Sequence, residues 1–482
     1  WKDSGWSDTL VVKSLTSSAF LAITLAAGPV TAMQAQVCDL ISSDQINSAG
    51  TTGLRVSYLS NPFFRCSDGT QIKADSSVTY EATGLTTFIG DVVFREGRRE
   101  MRSDEAQYYS SLGRLEAEGS IEVRIMDKNE VIVGDRLSLL QQNRDRSEDL
   151  MTVRGSQAYA LISAGSVGVN AESNDSRINA DLLHLIGDRI LQAVGNVSVQ
   201  RNSLELYSDS LELLQDGTRT KLFFNAEIRG AQDNSGISTN VKGDSVNILF
   251  SDNVLEEIQS VGEAEVEYDN GNGSVRGSEV DIFFRNDELK RITSTNDHAS
   301  VREMIDNGLR AVATTEEFTI TGDSIDLRLE SGDLVSTEAF GNARGTSHSV
   351  SNEQGAVISP LLEEDWIEGD TVVVLFSESV SSQDLATERN KRVIEQMTAL
   401  GRARSFFRRR PVLEQSDSEE IPESEMELNY VRGDEVRILF SNGEVQQMEV
   451  VNAQGSFLQP TGRPDTISAG TNMTLRRNRK DD

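Results

Sequence analysis

The strongest constraint on the fold of this chain is a repeated segment with the pattern of a β-hairpin. In residues 243–268, the apolar side chains of Val246, Ile248 and Phe250 occupy every second position, which is the period of a strand buried on one side. Residues 251–253 are Ser, Asp and Asn, which favour turns because their side chains bond to nearby backbone. A second alternating run follows, so the segment predicts two antiparallel strands joined by a short turn.

The same pattern returns along most of the chain. In four copies, 19 residues separate an opening glycine from a Gly or Asn in the second run, at 243 to 262, 277 to 296, 322 to 341 and 433 to 452. Earlier copies share a shorter offset of 16 residues, at 103 to 119 and 179 to 195. We identify nine openings of a first strand, at residues 103, 134, 179, 208, 243, 277, 322, 369 and 433. A chance match would not keep this register.

The repeats predict the fold class. An isolated two-stranded hairpin is barely stable in water, so units of about 30 to 47 residues that each expose an apolar face must stack on one another. Each inward apolar side chain contributes roughly 1.5 to 3 kcal/mol when it is fully buried. The sequence therefore predicts an all-β, elongated fold built from stacked β-hairpin repeats. The exposed edges at its two ends need protection or a partner.

The first residues have the pattern of a secretory signal peptide. An apolar run at 19–27 follows Lys13 and precedes the small-residue sequence 30–32, which suits cleavage. The run is too short to span a bilayer comfortably. Residues 1–32 are therefore predicted to be a signal peptide, with an uncleaved N-terminal anchor as the alternative.

Two cysteines follow this segment. Cys38 and Cys66 are the only cysteines of the chain, and they lie in residues 33–71, which we interpret as a spacer. An oxidising compartment would let them close one disulfide. Two free or lipid-modified thiols are the alternative.

Composition and motifs exclude several functions. The net charge of −31 argues against nucleic acid as a partner, because no basic face could easily outweigh it. The three histidines, His184, His298 and His348, are not at metal-ligand spacing. No nucleophile or phosphate-binding motif is present, and the repeated Gly-Asp pairs are interpreted as turn residues rather than catalytic carboxylates. We therefore predict no enzymatic activity, no metal and no cofactor.

The repeats resemble a known family. The sequences at 90–94, 101–123 and 178–199, together with the later Gly-Asp units, look like the OstA-like domain of the LptA, LptC and LptD family of lipopolysaccharide transport proteins. The resemblance covers most of residues 72–460. It implies a β-jellyroll, an open-sided folded sheet whose apolar interior carries lipopolysaccharide acyl chains across the periplasm. It also implies location in the periplasm, possible association with the inner or outer membrane, and contact with other OstA-like components or with further copies of the chain.

The repeats suggest three segments after the spacer. Residues 72–230 are predicted to be a first OstA-like segment and residues 231–376 a second one. Residues 377–482 are predicted to hold the terminal repeats, because charged insertions at 378–392 and 414–428 separate their strands.

The family's role carries over to the apolar face of the first strands. Two hypotheses follow from this face: it lines a groove for lipopolysaccharide or another long-chain lipid, or it is the closed core of a structural or adhesive repeat protein that binds proteins or polymers. The candidate groove residues are Val246, Ile248, Phe250, Val280, Ile282, Phe284, Ile325, Leu327, Leu329, Val372, Val374, Phe376, Val436, Ile438 and Phe440.

Overall fold

The structure is a computed structural model of the chain. It describes residues 38–143, 145–163, 176–201, 204–214, 217–232, 238–251, 254–286, 288–296, 310–347, 365–378, 392–409, 427–441, 444–458 and 473–476. The segment predicted to be a signal peptide, residues 1–32, lies outside this part of the chain, as do His298 and His348 and most of the two charged insertions.

The described residues form a single β-sheet, which confirms the predicted all-β fold of consecutive hairpins. The only helical element among them is a 3-10 turn at Asp269–Gly271, and none is a helix that could cross a membrane. The strands of the first half are β1 Cys38–Ser42, β2 Gln45–Ala49, β3 Val56–Ser60, β4 Phe63–Cys66, β5 Gln71–Lys73, β6 Ser76–Tyr80, β7 Leu85–Glu96, β8 Arg99–Tyr109, β9 Arg114–Ile125, β10 Glu130–Leu140, β11 Leu150–Arg154, β12 Tyr159–Ile162, β13 Ser176–Asn179, β14 Leu182–Ile186, β15 Ile190–Arg201 and β16 Leu204–Leu214. The strands of the second half are β17 Arg219–Gln232, β18 Ser238–Ser251, β19 Val254–Tyr268, β20 Gly273–Arg285, β21 Glu288–Thr295, β22 Ala311–Thr315, β23 Phe318–Gly322, β24 Ser324–Glu330, β25 Asp333–Ser347, β26 Asp365–Glu378, β27 Arg392–Arg409, β28 Glu427–Ser441, β29 Glu444–Val451, β30 Gln454–Leu458 and β31 Met473–Arg476.

The long strands bend in the middle, so that the sheet forms two walls that meet at a corner. In β7, the register with β8 shifts between Ile89 and Val92, and a bulge of this kind bends a strand. Short strands such as β13 and β14 are the two halves of one bent strand. We call wall A the part of the sheet that contains 85–89, 245–251 and 371–378 with the strand parts paired to them, and wall B the part that contains 92–96, 238–243 and 365–369 with theirs.

The repeated Gly-Asp pairs lie at this corner, inside the bent strands or between their two halves, and not at the turns that the sequence predicts. Asp244 packs against Gly262 of the next strand, whose φ is +79°, and a Cβ added to Gly262 would lie 2.2 Å from the Asp244 Oδ2. Asp323 and Gly341 repeat this arrangement. Glycine adopts positive φ without strain and leaves room for the carboxylate. The regular offset in the sequence therefore marks the points where neighbouring strands cross the corner.

Polar side chains complete the corner. Asn196 donates from its Nδ2 to the Asp181 Oδ2 at 2.9 Å, and Arg402 donates from its Nε to the Asp370 Oδ1 at 3.0 Å. The aspartates therefore have structural partners on the adjacent strand, which supports their interpretation as fold-determining residues even though their predicted place at a turn was wrong.

The sheet is continuous across the predicted segment boundaries. The boundaries at 230/231 and 376/377 fall inside β17 and β26, and both strands pair with a neighbour on each side. The predicted spacer, residues 33–71, contains β1 to β4. The described strands on both sides of these two boundaries therefore belong to one ladder, and the division into 72–230, 231–376 and 377–482 stays a prediction.

Cys38 and Cys66 are joined by a disulfide. They face each other in register on β1 and β4. Among the described strands, β1 pairs only with β4, so the bond fastens the outermost strand of wall B at this end of the sheet.

Replacing Cys38 and Cys66 by serine is expected to release β1. The disulfide spans a sequence separation of 28 residues, and closing a loop of that size is worth roughly 3 to 4 kcal/mol if the effect is mainly chain entropy. Because strands of a repeat array are stabilised mostly by their neighbours, hydrogen exchange should accelerate in β1 and β4 and stay unchanged in β18 to β20. Unchanged exchange in β1 would show that the disulfide does not hold this edge.

Candidate functional site

The inner face of wall A carries a row of side chains that is continuous along the ladder. Each member faces the next across adjacent strands, and all of them are buried. The row starts at Leu59 in β3, ends at Val450 in β29, and alternates between larger and smaller residues in its second half. We call it row A: Leu59, Ser77, Phe88, Ala106, Ala117, Leu137, Val153, Leu183, Ala193, Leu211, Leu222, Val246, Ser260, Val280, Ser294, Ile325, Ala339, Val372, Ala399, Val436 and Val450.

Wall B carries an equivalent row on its own inner face. It starts at Phe64 in β4, ends at Val431 in β28, and is likewise buried throughout. We call it row B: Phe64, Ile72, Phe94, Met101, Val123, Ile132, Ala160, Ile178, Val199, Leu206, Ile228, Val241, Val266, Val275, Ala313, Ile320, Gly345, Ile367, Ser405 and Val431.

The candidate groove residues all lie on wall A. Val246, Val280, Ile325, Val372 and Val436 belong to row A, and the others follow at two-residue intervals toward the end of each strand. All are buried except Phe250 and Phe440, which are half-buried.

Row B was missed by the choice of groove residues. Its signal is present in the sequence, because Ala264, Val266 and Tyr268 alternate with three glutamates in the second run of the clearest repeat. What the alternation does not reveal is that the strand bends at Gly262, so that this run faces row A across an interior instead of extending the same surface.

The two walls pack against each other at the side opposite the corner. The ring of Phe318 on wall B lies 5.3 Å from that of Phe376 on wall A, and Phe407 on wall B lies 6.2 Å from Phe440 on wall A. These distances are typical of packed aromatic pairs. The apolar interior is therefore closed between these residues.

A few polar groups lie within the buried surface without a hydrogen-bond partner. They include the Thr337 and Ser405 hydroxyls, the Tyr268 Oη and one carboxyl oxygen of Glu130. Burial raises the pKa of Glu130 and also that of Tyr268, since removing water disfavours the charged form. Glu130 is only 2% exposed, so burial disfavours its carboxylate form.

His184, the one histidine among the described residues, is hydrogen-bonded within the sheet. His184 on β14 shares a 2.9 Å hydrogen bond with the Thr152 hydroxyl on β11, and burial lowers the pKa of its imidazole. Within the described ranges, no three His, Cys, Asp or Glu side chains are placed to hold a metal ion.

A cleft of about 730 Å³ follows the outer side of the corner between β25 and β30. Arginines from adjacent strands line it, but they are held by neighbouring groups. Arg344 and Arg404 both pair with Glu368, at 2.6 and 2.8 Å, and Arg402 pairs with Asp370. The side chains along the cleft therefore form a network of ion pairs that stabilises the outer surface of the corner.

Comparisons with known proteins relate the chain to lipopolysaccharide transport. No protein-family model matches it. Part of the chain is similar to LPS-assembly protein LptD of Pseudomonas putida strain GB-1, with 33% identity over 98 residues, 19% of this chain and 10% of that protein. LptD of strain W619 is 32% identical over 105 residues, 20% of this chain and 11% of that protein. The crystal structure of LptH, described as the LptA homologous periplasmic component of the lipopolysaccharide transport device of Pseudomonas aeruginosa, aligns with 25% of this chain and 78% of that chain, at 13% identity and a TM-score of 0.22.

The sequence matches to LptD confirm the resemblance to the lipopolysaccharide transport family. The chain spans about a tenth of the length of the curated relatives it matches. The sequence similarity therefore concerns a segment of 98 to 105 residues of this chain.

Proposed function

We propose that this chain is a periplasmic lipid carrier of the lipopolysaccharide export type and not an enzyme. Acyl chains of lipopolysaccharide, or of another long-chain lipid, would lie between wall A and wall B and move along them between inner and outer membrane. The observation that supports this function is the pair of apolar rows, which face each other from β4 to β28 without a charged residue in either. Partners would be other OstA-like components at the two membranes, or further copies of the chain.

The geometry suits a lipid without polar specificity. Burying a methylene group contributes roughly 0.8 kcal/mol wherever the surface is apolar, so rows with no charged residue can hold an acyl chain at many successive positions. Uniform binding along the rows is what movement requires, because a lipid held more tightly at one place would stop there.

The bent sheet can open for such a ligand at little cost in backbone hydrogen bonds. The backbone hydrogen bonds of the ladder run within each wall, and among the described strands the backbone connects the two walls at the corner. Separating the opposite edges of the walls would therefore break side-chain contacts and leave the backbone ladder intact. In the closed interior, an acyl chain would replace contacts such as that between Phe318 and Phe376. The competing function, a structural or adhesive repeat protein, would keep those contacts permanently.

Crosslinking at neighbouring positions of one strand tests the proposal. Val374 is fully buried and points into the interior, whereas Val373 is half-buried and points outward, because successive residues of a strand face opposite sides. A photoreactive amino acid is placed at each of these positions in turn. In cells of a Gram-negative host that exports the protein, lipopolysaccharide adducts are expected at position 374 and at Ile367 on wall B, but not at 373.

Native mass spectrometry of the gently purified protein provides a second test, because it detects bound lipid directly. A co-purifying lipid is expected in the wild-type protein. Equal amounts of adduct at 373 and 374, together with no bound lipid even after lipopolysaccharide is added, would contradict the carrier function. That result would favour a structural or adhesive repeat protein with a closed core.

A further inference from the structure

The side of the molecule opposite the corner differs along the chain. Between β7 and β15 charged side chains close it, next to an aromatic pair of Phe94 on wall B and Tyr108 on wall A, whereas farther along it is closed by the aromatic pairs on β23, β26, β27 and β28. The charged part lies where the turn after β7 on wall B approaches the segments before β11 and β15 on wall A. We call Arg98, Arg99, Asp149 and Asp188 the charged clasp.

The clasp joins the two walls directly. Arg99 on wall B donates to the Asp188 carboxylate at 2.8 Å, to the Asp149 carboxylate at 3.1 Å and to the Gly187 carbonyl at 3.1 Å, all on wall A. Arg98 pairs with the same Asp188 and with Asp127 of its own wall. The Arg99 side chain is only 12% exposed, whereas the Asp149 and Asp188 side chains are 25% and 41% exposed, so water and salt reach the carboxylate side of these bonds.

Further groups of the two walls meet beside the clasp. Gln141 of wall A donates to the Glu96 carboxylate of wall B at 2.6 Å. Burial alone would raise the pKa of Asp188, but the hydrogen bonds from Arg99 and Arg98 outweigh it and lower that pKa. The Asp188 carboxylate therefore stays ionised at neutral pH, and the clasp keeps its charge.

We infer that the charged clasp is a lateral gate, which must open before an acyl chain can enter the interior between β7 and β15. This inference rests on the proposed carrier function for the ligand, but the closure itself is a property of the two walls. Within the described residues, the clasp is the part of this side where several charged hydrogen bonds join the walls, in addition to the contact of Phe94 with Tyr108. Lipid that enters at the clasp would therefore have to separate ion pairs, whereas lipid that enters along the aromatic part would have to separate ring contacts.

A distance measurement tests the closure without any lipid. Spin labels are attached at Met126→Cys on wall B and at Arg189→Cys on wall A, which are exposed turn residues on the two sides of the clasp. The native cysteines form a disulfide with each other and therefore take no label. A narrow distance distribution is expected for the parent protein. The double substitution Asp149→Asn and Asp188→Asn should broaden it toward longer distances.

A matched control separates the clasp from a general change in charge. Glu227→Gln with Glu265→Gln removes two carboxylates that also pair with arginines, Arg229 and Arg276, but on the outer surface. This control should leave the distances unchanged. Salt at 1 M, which reduces the Debye length to about 3 Å, should act like the clasp variant on the unmodified protein, so the test remains valid if the variant does not fold.

Uptake of a fluorescent long-chain fatty acid, with lipopolysaccharide as competitor, gives the functional result. We expect the clasp variant to take up the probe about tenfold faster than the control variant, as for the loss of ion pairs of ordinary strength. Unchanged distances in both the variant and high salt would overturn the gate. Altered distances with no uptake by any form would leave the closure established and reject the carrier function.

Discussion

Replacing Gly341 by alanine is expected to destabilise the surrounding strands by roughly 2 to 5 kcal/mol. The backbone at Gly341 has a φ of +76°, which costs an L-residue about 1 to 2 kcal/mol. The added Cβ would also lie 2.1 Å from the Asp323 Oδ2, and forcing an extra group into a packed site costs roughly 1 to 3 kcal/mol more. The two effects are independent, because one is strain within a residue and the other is contact between strands.

Gly271→Ala is the matched control for Gly341→Ala. Gly271 has a φ of +92°, but nothing lies within 4 Å of an added Cβ, so this variant should show the backbone cost alone. Combining Gly341→Ala with Asp323→Gly should remove the steric part of the loss. Hydrogen exchange of the strands beside each site, β24 and β25 for Gly341 and β19 and β20 for Gly271, is the suitable measurement, since a long repeat array does not unfold in one step. Equal losses at 271 and 341 would mean that the Asp-Gly contact does not fix the corner.

The corner also explains which parts of the fold could be predicted from the sequence. Alternation over Val246 to Phe250 and the constant offset of 19 residues were enough to predict strands, hairpins and stacking. The bend could not be predicted, because a bulge at Gly262 and a turn at Gly262 require the same residue types. An Asp that packs against a positive-φ glycine of the next strand, as Asp244 does against Gly262, is a contact between residues 18 positions apart, and only the register of the strands reveals it.

The candidate site was predicted in the same partial way. Wall A was identified because its first strands carry large residues such as Ile282 and Phe284. Wall B carries residues just as large, for example Ile228 and Ile367, and what hid it is the bend at the corner, which a pattern along one strand does not show. The charged clasp had no sequence signal at all, since Arg99 and Asp188 are 89 residues apart and come together only through the folding of the sheet.

Replacing Ile248 by aspartate is expected to cost about 4 kcal/mol or more at neutral pH. The side chain is 1% exposed, so the change removes the burial of an isoleucine, worth roughly 1.5 to 3 kcal/mol, and leaves a buried carboxylate without a partner. Burial should raise the pKa of this new carboxyl above its unfolded value. The folded state then binds the extra proton more readily than the unfolded one, so the loss should shrink as the pH falls toward 4.

Asn247→Asp provides the control for Ile248→Asp at the adjacent position. Asn247 lies on the outward face opposite Lys221 of the neighbouring strand; it is half-buried and its side-chain oxygen lacks a hydrogen-bond partner, so the same new charge, with a cation beside it, should change stability by about 1 kcal/mol or less. In the Ile248→Asp variant, amide hydrogen exchange should accelerate in β18, which carries the substitution, and in its neighbours β17 and β19. It should remain slow in β26 to β28. A carrier needs this locality: if the walls are stabilised strand by strand, a lipid can part them over a few strands while the rest of the ladder stays closed. Acceleration along the whole ladder would instead indicate one cooperative core, and a core that opens only as a whole could not pass a lipid along its length.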